Sequence, residues 1–269
     1  MRRGVSLPNF GDFADPAQML ELAGLAEATG WDGFFLWDHI AVDDGLETAD
    51  PWTMLGAISV VTDRIRLGTM ITPLPRRRPW VVARQATTVD HLSQGRLVLG
   101  VGIGSPADEE FGRFGEPTDA RVRADMLDEA LGVLQGIWGG EPFAHQGTHY
   151  HIAETVFAPR PMQTPSIPIW VAAEWPNRRP LRRAARFDGV FPVKTDMSGW
   201  CPEEVQRLVS IVVADRGTTA AFDVVISGSF DLGRERGAEL ERAGATWFLA
   251  VPQMGDTPGA VATELADGP

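Results

Sequence analysis

The sequence predicts a single (β/α)₈ barrel over residues 1–269. Three observations carry this expectation. Eight short apolar runs alternate with eight helical patterns, which calls for a parallel sheet. The runs are continuously apolar, as in strands covered by helices on both faces. Finally, no Gly-, Pro- or Ser-rich linker divides the chain, whose length suits one barrel of about 250 residues. A doubly wound open sheet is the alternative architecture.

The units follow in order along the chain. Gly4–Pro8 is a short apolar run closed by proline. Met19, Leu20, Leu22, Ala23, Leu25 and Ala26 then mark a helix face that starts near Asp15-Pro16 and stops at Gly30. Gly33–Trp37 forms the second run, and Asp50-Pro51 caps a helix through Met54, Leu55, Ala57, Ile58 and Val61. Arg66–Ile71 precedes a helix over Pro79–Leu92, and Leu97–Gly102 precedes one from about Arg121 to Trp138. In the second half, Ile169–Ala173 pairs with a helix through Leu181–Arg186, and Gly189–Val193 with one from Pro202 to about Asp215. Phe222–Ile226 pairs with a helix around Leu240, and Thr246–Val251 with a terminal helix after Pro258. Two departures from the rhythm stand out: the loop Ser105–Ala120, and an excursion from Gly139 to Pro168 before the fifth strand.

Composition narrows the function classes. With 44% hydrophobic and 22% charged residues the chain is ordinary globular protein, and no apolar run reaches the roughly 20 residues of a membrane span. A formal net charge of −12 argues against nucleic-acid or anionic-membrane partners. One cysteine, Cys201, excludes an internal disulfide, and the N-terminus lacks a signal-like apolar segment, so a reduced cytoplasm is the expected compartment. Lys194 is the one lysine among the 24 basic residues.

In a barrel of this kind chemistry sits at the C-terminal ends of the strands. These fall around Pro8, Asp38-His39, Met70–Thr72, Gly104-Ser105, Glu174, Lys194, Gly228 and Pro252. Asp38-His39 emerges directly from an apolar strand, where an imidazole serves acid or base work; the plain alternative is a turn-capping aspartate and a packing histidine. Gly100–Gly104 lets a flat ligand approach the backbone but opens no helix, which argues against a dinucleotide fingerprint. His145, His149 and His151 have ligand-like spacing, yet they lie between the fourth helix and the fifth strand, where a surface hairpin is expected and no metal site. Arg76-Arg77-Arg78 is expected to solvate a loop rather than to bind an anion.

Five stretches together resemble the luciferase-like monooxygenases, TIM-barrel enzymes that use FMN or the deazaflavin F420. They are Trp37-Asp38-His39, Asp50–Thr53, Arg64–Thr69, Asp90–Gly102 and Leu181–Arg186. The resemblance runs from about Gly4 to Val193, with Asp90–Gly102 its most specific part. It implies a flavin-dependent oxidoreductase acting on a small organic substrate, with His39 as the catalytic group beside the reactive ring. It further implies a cofactor site formed by Met70, Ile71, Thr72, Gly104, Ser105, Glu174, Trp175, Asn177, Arg178 and Lys194. In that site a non-proline cis bond or bulge is expected at Met70-Ile71, a helix N-terminus at Asn177-Arg178 faces the phosphate, and Lys194 contacts it.

Two departures from the F420 dehydrogenases of the family tilt the expectation slightly toward FMN. Ser105 stands where those enzymes carry a glutamate, and Asp43 where they carry a tryptophan. With FMN, a separate flavin reductase would be the partner, since no nicotinamide motif is visible. A homodimer is the expected assembly, as is common in the family. Phe111, Phe114, Trp175 and Trp200 are candidates for an aromatic pocket or for core. The rival classes are a flavin-binding member without catalysis and a metal-free barrel lyase or hydrolase.

Overall fold

The computed structural model describes residues 1–196, 198–217 and 221–269. Its elements in chain order are β1 (Arg2–Leu7), α1 (Pro16–Ala28), β2 (Gly33–Leu36), α2 (Pro51–Val61), β3 (Arg66–Pro73), α3 (Pro79–Leu92) and β4 (Leu97–Gly102). A short α4 (Ala107–Glu110) then precedes α5 (Ala120–Trp138), the hairpin strands β5 (Phe143–Gln146) and β6 (His151–Thr155), and β7 (Ile169–Glu174). The chain closes with α6 (Arg178–Ala184), β8 (Gly189–Val193), α7 (Pro202–Arg216), β9 (Asp223–Gly228), α8 (Phe230–Arg242), β10 (Trp247–Ala250) and α9 (Pro258–Ala266).

Eight strands form a closed parallel barrel in the order β1-β2-β3-β4-β7-β8-β9-β10, so that this sheet has no edge strand. Closure pairs Arg2 with Trp247 and Val5 with Ala250. The apolar runs of the sequence are these strands, shifted by no more than a few residues. The helix starts also follow local chemistry. The carboxylates of Asp15, Asp50 and Asp119 accept from Ala17 N at 2.9 Å, Thr53 N at 2.7 Å and Arg121 N at 2.8 Å, capping otherwise unpaired amides. The largest boundary difference is α6, which begins at Arg178 rather than near Leu181 and ends at Ala184.

Two apolar layers result. Between strands and helices lies the main core, with Leu7, Phe34, Leu36, Leu67, Leu99 and Val171 fully buried. Inside the barrel a second cluster of Phe35, Met70, Val98, Trp170, Val225, Trp247 and Leu249 fills the lumen. The Trp170 and Trp247 rings meet with centroids 5.3 Å apart, and Phe35 lies 5.4 Å from Trp170. Each buried indole contributes on the order of 5 kcal/mol through the area it removes from water. This plug fills the barrel interior beneath the C-terminal mouth.

The excursion before β7 is the expected surface hairpin, β5 pairing antiparallel with β6. It is pinned to α5: the Glu129 carboxylate pairs with His145 Nε2 at 3.0 Å and accepts from the His149 and Tyr150 amides. The return segment is tied to α3, where Asp90 accepts from the Met162 amide at 2.7 Å. Among the described residues no group of three His, Cys, Asp or Glu side chains is placed to hold a metal, and no helix is long and apolar enough to cross a membrane.

Candidate active site

A cleft of about 560 Å³ opens at the C-terminal ends of five neighbouring strands, β2, β3, β4, β7 and β8. One wall is Trp37, Asp38 and His39, and the floor is Met70, Ile71, Pro73 and Ile103. The opposite wall is Ala172, Glu174, Asn177, Arg179 and Arg183, with Arg123 and Ala124 of α5 at the back. Pro8, Gly228 and Pro252 do not line it, so the site occupies one side of the mouth.

The Met70–Ile71 peptide bond is cis, and the pairing of β3 with β4 shifts register between Thr69 and Thr72. This is the irregular strand end that the resemblance implies. It is matched by an absence of side chain at Gly102, where an added Cβ would sit 2.1 Å from the Ile71 side chain and 3.1 Å from Ala172 Cβ. Gly104, with φ +82°, turns the chain out of β4, and its carbonyl accepts from Arg123 at 2.7 Å. Arg123 also stacks on Phe111 at 4.6 Å, while its buried Nε has no partner.

His39 is held on several sides. The Asn9 side chain, fully buried after β1, donates to the His39 carbonyl at 2.9 Å and accepts from its amide at 3.1 Å. The imidazole contacts the rings of Phe10 and Trp37. Its Nδ1 lies 3.3 Å from Glu110 Oε1, whereas Nε2 makes no hydrogen bond among the described residues. Burial and the nearby Arg76 guanidinium push the imidazole down to about 4, against the opposing pull of Asp38, so the ring is neutral near pH 7.

Beneath the histidine lies a charge network that the sequence reading did not anticipate. Asp38, 3% exposed, accepts from Arg76 at 3.1 Å, Arg77 at 2.6 Å and the Thr72 hydroxyl at 2.9 Å. Arg76 also pairs with Glu110. The arginine triplet therefore does not solvate a loop. Two of its members turn inward and balance two buried carboxylates, and burial lowers Arg76 to about 10. Glu110 is 1% exposed and has no distinguishing signal in the acidic run Asp108-Glu109-Glu110. Asn9 is hidden in a polar turn.

Of the expected site residues, His39, Met70, Ile71, Gly104, Ser105, Glu174 and Asn177 line the cleft. The others do not. Thr72 is fully buried, its hydroxyl spent on Asp38 and on Thr69 at 2.9 Å. Trp175 packs on Trp200 at 6.0 Å, under Arg207. Arg178 is exposed and faces Asp215 at 3.8 Å, so its neighbour Arg179 takes the cleft position. Lys194 Nζ is drawn to Glu204 at 2.5 Å and to the Gly199 carbonyl at 2.9 Å, over the Trp200 ring, and its neighbours Val193 and Thr195 line the cleft instead. Nor do Phe111, Phe114 or Trp200 form an aromatic pocket: Phe111 and Trp200 are core, and Phe114 is exposed away from the cleft.

The family model for luciferase-like monooxygenases matches residues 1–262. The chain belongs to that family. Among curated relatives it is 34% identical over 164 residues to an F420-dependent glucose-6-phosphate dehydrogenase of Microbacterium testaceum, an alignment covering 60% of this chain and 48% of the relative. The chain thus spans about half the length of the curated dehydrogenases it matches. Among solved structures it is similar in fold to an F420-dependent secondary alcohol dehydrogenase in complex with an F420–acetone adduct. That match has a TM-score of 0.80 and 18% identity, and covers 97% of this chain and 96% of the other. It is also similar to the oxygenating constituent of 3,6-diketocamphane monooxygenase from Pseudomonas putida in complex with FMN. Here the TM-score is 0.72 and the identity 16%, with 99% and 96% covered. The family likeness extends well past Val193, where the recognisable sequence motifs end.

Proposed function

We propose that this member of the luciferase-like family is an oxidoreductase that binds F420 in the cleft and acts on a small organic substrate with His39 as its proton-transfer group. The observation that carries the reading is the free Nε2 of a neutral, backbone-clamped imidazole on the wall of a cleft floored by the cis Met70–Ile71 peptide.

The residues present fit a planar ring system. The missing side chain at Gly102 leaves room for Ile71 at the floor, and Ile71, Ile103 and Ala172 offer apolar surface. The unpartnered Nε of Arg123 and the exposed Arg179 guanidinium, which pairs with Asp125 at 2.6 Å, offer charge for an anionic tail. When bound, the cofactor supplies two-electron transfer that no side chain of the chain performs. The protein's own part is to exclude water with the Trp37 wall and the Ile103 floor, to orient the substrate, and to take or return a proton at His39 Nε2.

The curated relatives support F420 over FMN. The FMN reading, with reduced flavin delivered by a separate reductase, is favoured by Ser105 and Asp43, which replace the glutamate and tryptophan of the F420 dehydrogenases. Fluorescence titration with each cofactor decides between them: saturable binding of F420 alone supports the first reading, saturable binding of FMN alone the second, and binding of neither overturns both.

A further inference from the structure

We infer that Glu110 is a positioning residue that fixes the tautomer of His39, holding the ring proton on Nδ1 so that Nε2 stays an acceptor toward the cleft. The inference rests on the proposed role of His39 and extends it to a residue of the loop after β4.

Glu110 sits at the end of α4 and its carboxylate reaches across to the segment after β2. It accepts from the Ile40 amide at 3.1 Å and 3.2 Å and from the Ala41 amide at 3.1 Å, and it pairs with the Arg76 guanidinium. All these partners are obligatory donors, so the carboxylate is ionised and acts only as acceptor. The remaining neighbour, His39 Nδ1 at 3.3 Å, therefore meets a pure acceptor and must bring a proton.

The charges agree. Arg76 and Arg77 face Asp38 and Glu110, two cations against two anions, with no excess negative charge to stabilise an imidazolium. A neutral imidazole with its proton on Nδ1 carries its lone pair on Nε2, the nitrogen without a partner among the described residues. The two backbone bonds from Ile40 and Ala41 make the carboxylate a clamp on the same segment, so ring and loop are set together. Sequence distance hides the relationship, since 71 positions separate the two residues.

The test reads the tautomer directly. Protein labelled with ¹⁵N-histidine is studied by long-range ¹H–¹⁵N correlation near pH 7, with His39→Ala assigning the signal. In the parent protein, a neutral ring protonated at Nδ1 is expected; a proton on Nε2 overturns the inference without any variant at Glu110. In Glu110→Gln the side-chain amide faces His39 as a donor as well as an acceptor. The proton is expected to move at least partly to Nε2, and kcat to fall on the order of tenfold or more while cofactor affinity stays within about threefold. An unchanged tautomer, or an unchanged kcat in a variant whose tautomer has switched, overturns the inference. If instead neither F420 nor FMN binds the parent protein, the proposed function fails while the tautomer result stands.

Discussion

The Thr72 hydroxyl donates to Asp38 Oδ2 at 2.9 Å, tying the strand that carries the cis peptide to the segment after β2 that carries His39. The bond lies just below the cleft and explains why Thr72 does not face it. Because Asp38 also receives Arg76 and Arg77 at buried positions, its removal leaves Arg77 without its counter-charge and Arg76 with Glu110 alone. Asp38→Ala is expected to destabilise the fold by about 3–5 kcal/mol, as when one partner of a buried pair is deleted. Denaturant unfolding of both proteins checks this; a loss below about 1 kcal/mol would mean that the network is not cooperative.

His39→Ala is expected to keep the fold and cofactor affinity and to lose on the order of 10² to 10⁴ in turnover. The comparison requires circular dichroism, cofactor titration and steady-state rates on one preparation. Normal turnover in the variant would remove His39 from the chemistry.

The acid limb of kcat/KM should reflect the lowered imidazole. Asp38, Arg76, Arg77 and Glu110 surround His39, and burial with Arg76 brings the ring down to about 4. A base must be neutral to work, so activity should persist well below pH 6 and fall as the pH nears 4. The same shift acts on stability. The unfolded chain takes up this proton at about 6.5, before the folded state does, so stability is lost as pH drops from about 6.5 toward 4. Rate and melting profiles over that range test the sign, and a limb centred near 6.5 would refute it.

Gly102→Ala places a Cβ 2.1 Å from the Ile71 side chain, at the floor of the cleft. Displacement of Ile71 is expected to weaken cofactor binding about tenfold or more, with an overpacking cost of about 1–3 kcal/mol. Titration together with thermal melting measures both; unaltered affinity would mean that Ile71 is not under the ring.

Lys194→Met is expected to leave cofactor affinity within about threefold, because the ammonium is engaged by Glu204, the Gly199 carbonyl and the Trp200 ring. The loss should appear as about 1 kcal/mol of stability. A tenfold fall in affinity would instead return Lys194 to the cofactor phosphate.

Much of the architecture is legible because it depends on local patterns. Continuous apolar runs mark the strands, and Asp-Pro pairs at Asp15-Pro16 and Asp50-Pro51 mark helix starts through one carboxylate and one amide each. The cleft floor was legible by resemblance, since Met70-Ile71 sits within a motif-bearing strand. The support of His39 was not. Asn9 and Glu110 contact it, and Arg76 pairs with Glu110, from three separate parts of the chain, and nothing in an isolated acidic or basic run says which member turns inward. Lys194 shows the opposite failure: its position at a strand mouth pointed to a ligand, and a glutamate in the first turn of α7 captured it.

The loop after β4 borders the cleft through Ser105 and Ala120 and also clamps the amides of Ile40 and Ala41 through Glu110. Its two halves therefore face different constraints under divergence. An insertion or deletion between Ser105 and Glu110 would shift the register of the clamp and misalign the histidine segment. Between Gly112 and Asp119 the described residues make no hydrogen bond to Glu110, Ile40 or Ala41, although Arg113 pairs with Asp44 at 2.7 Å, so changes of length there would remodel the rim while sparing the carboxylate's own bonds. Loop exchange among relatives should accordingly succeed when the crossover falls after Glu110 and fail when it falls before.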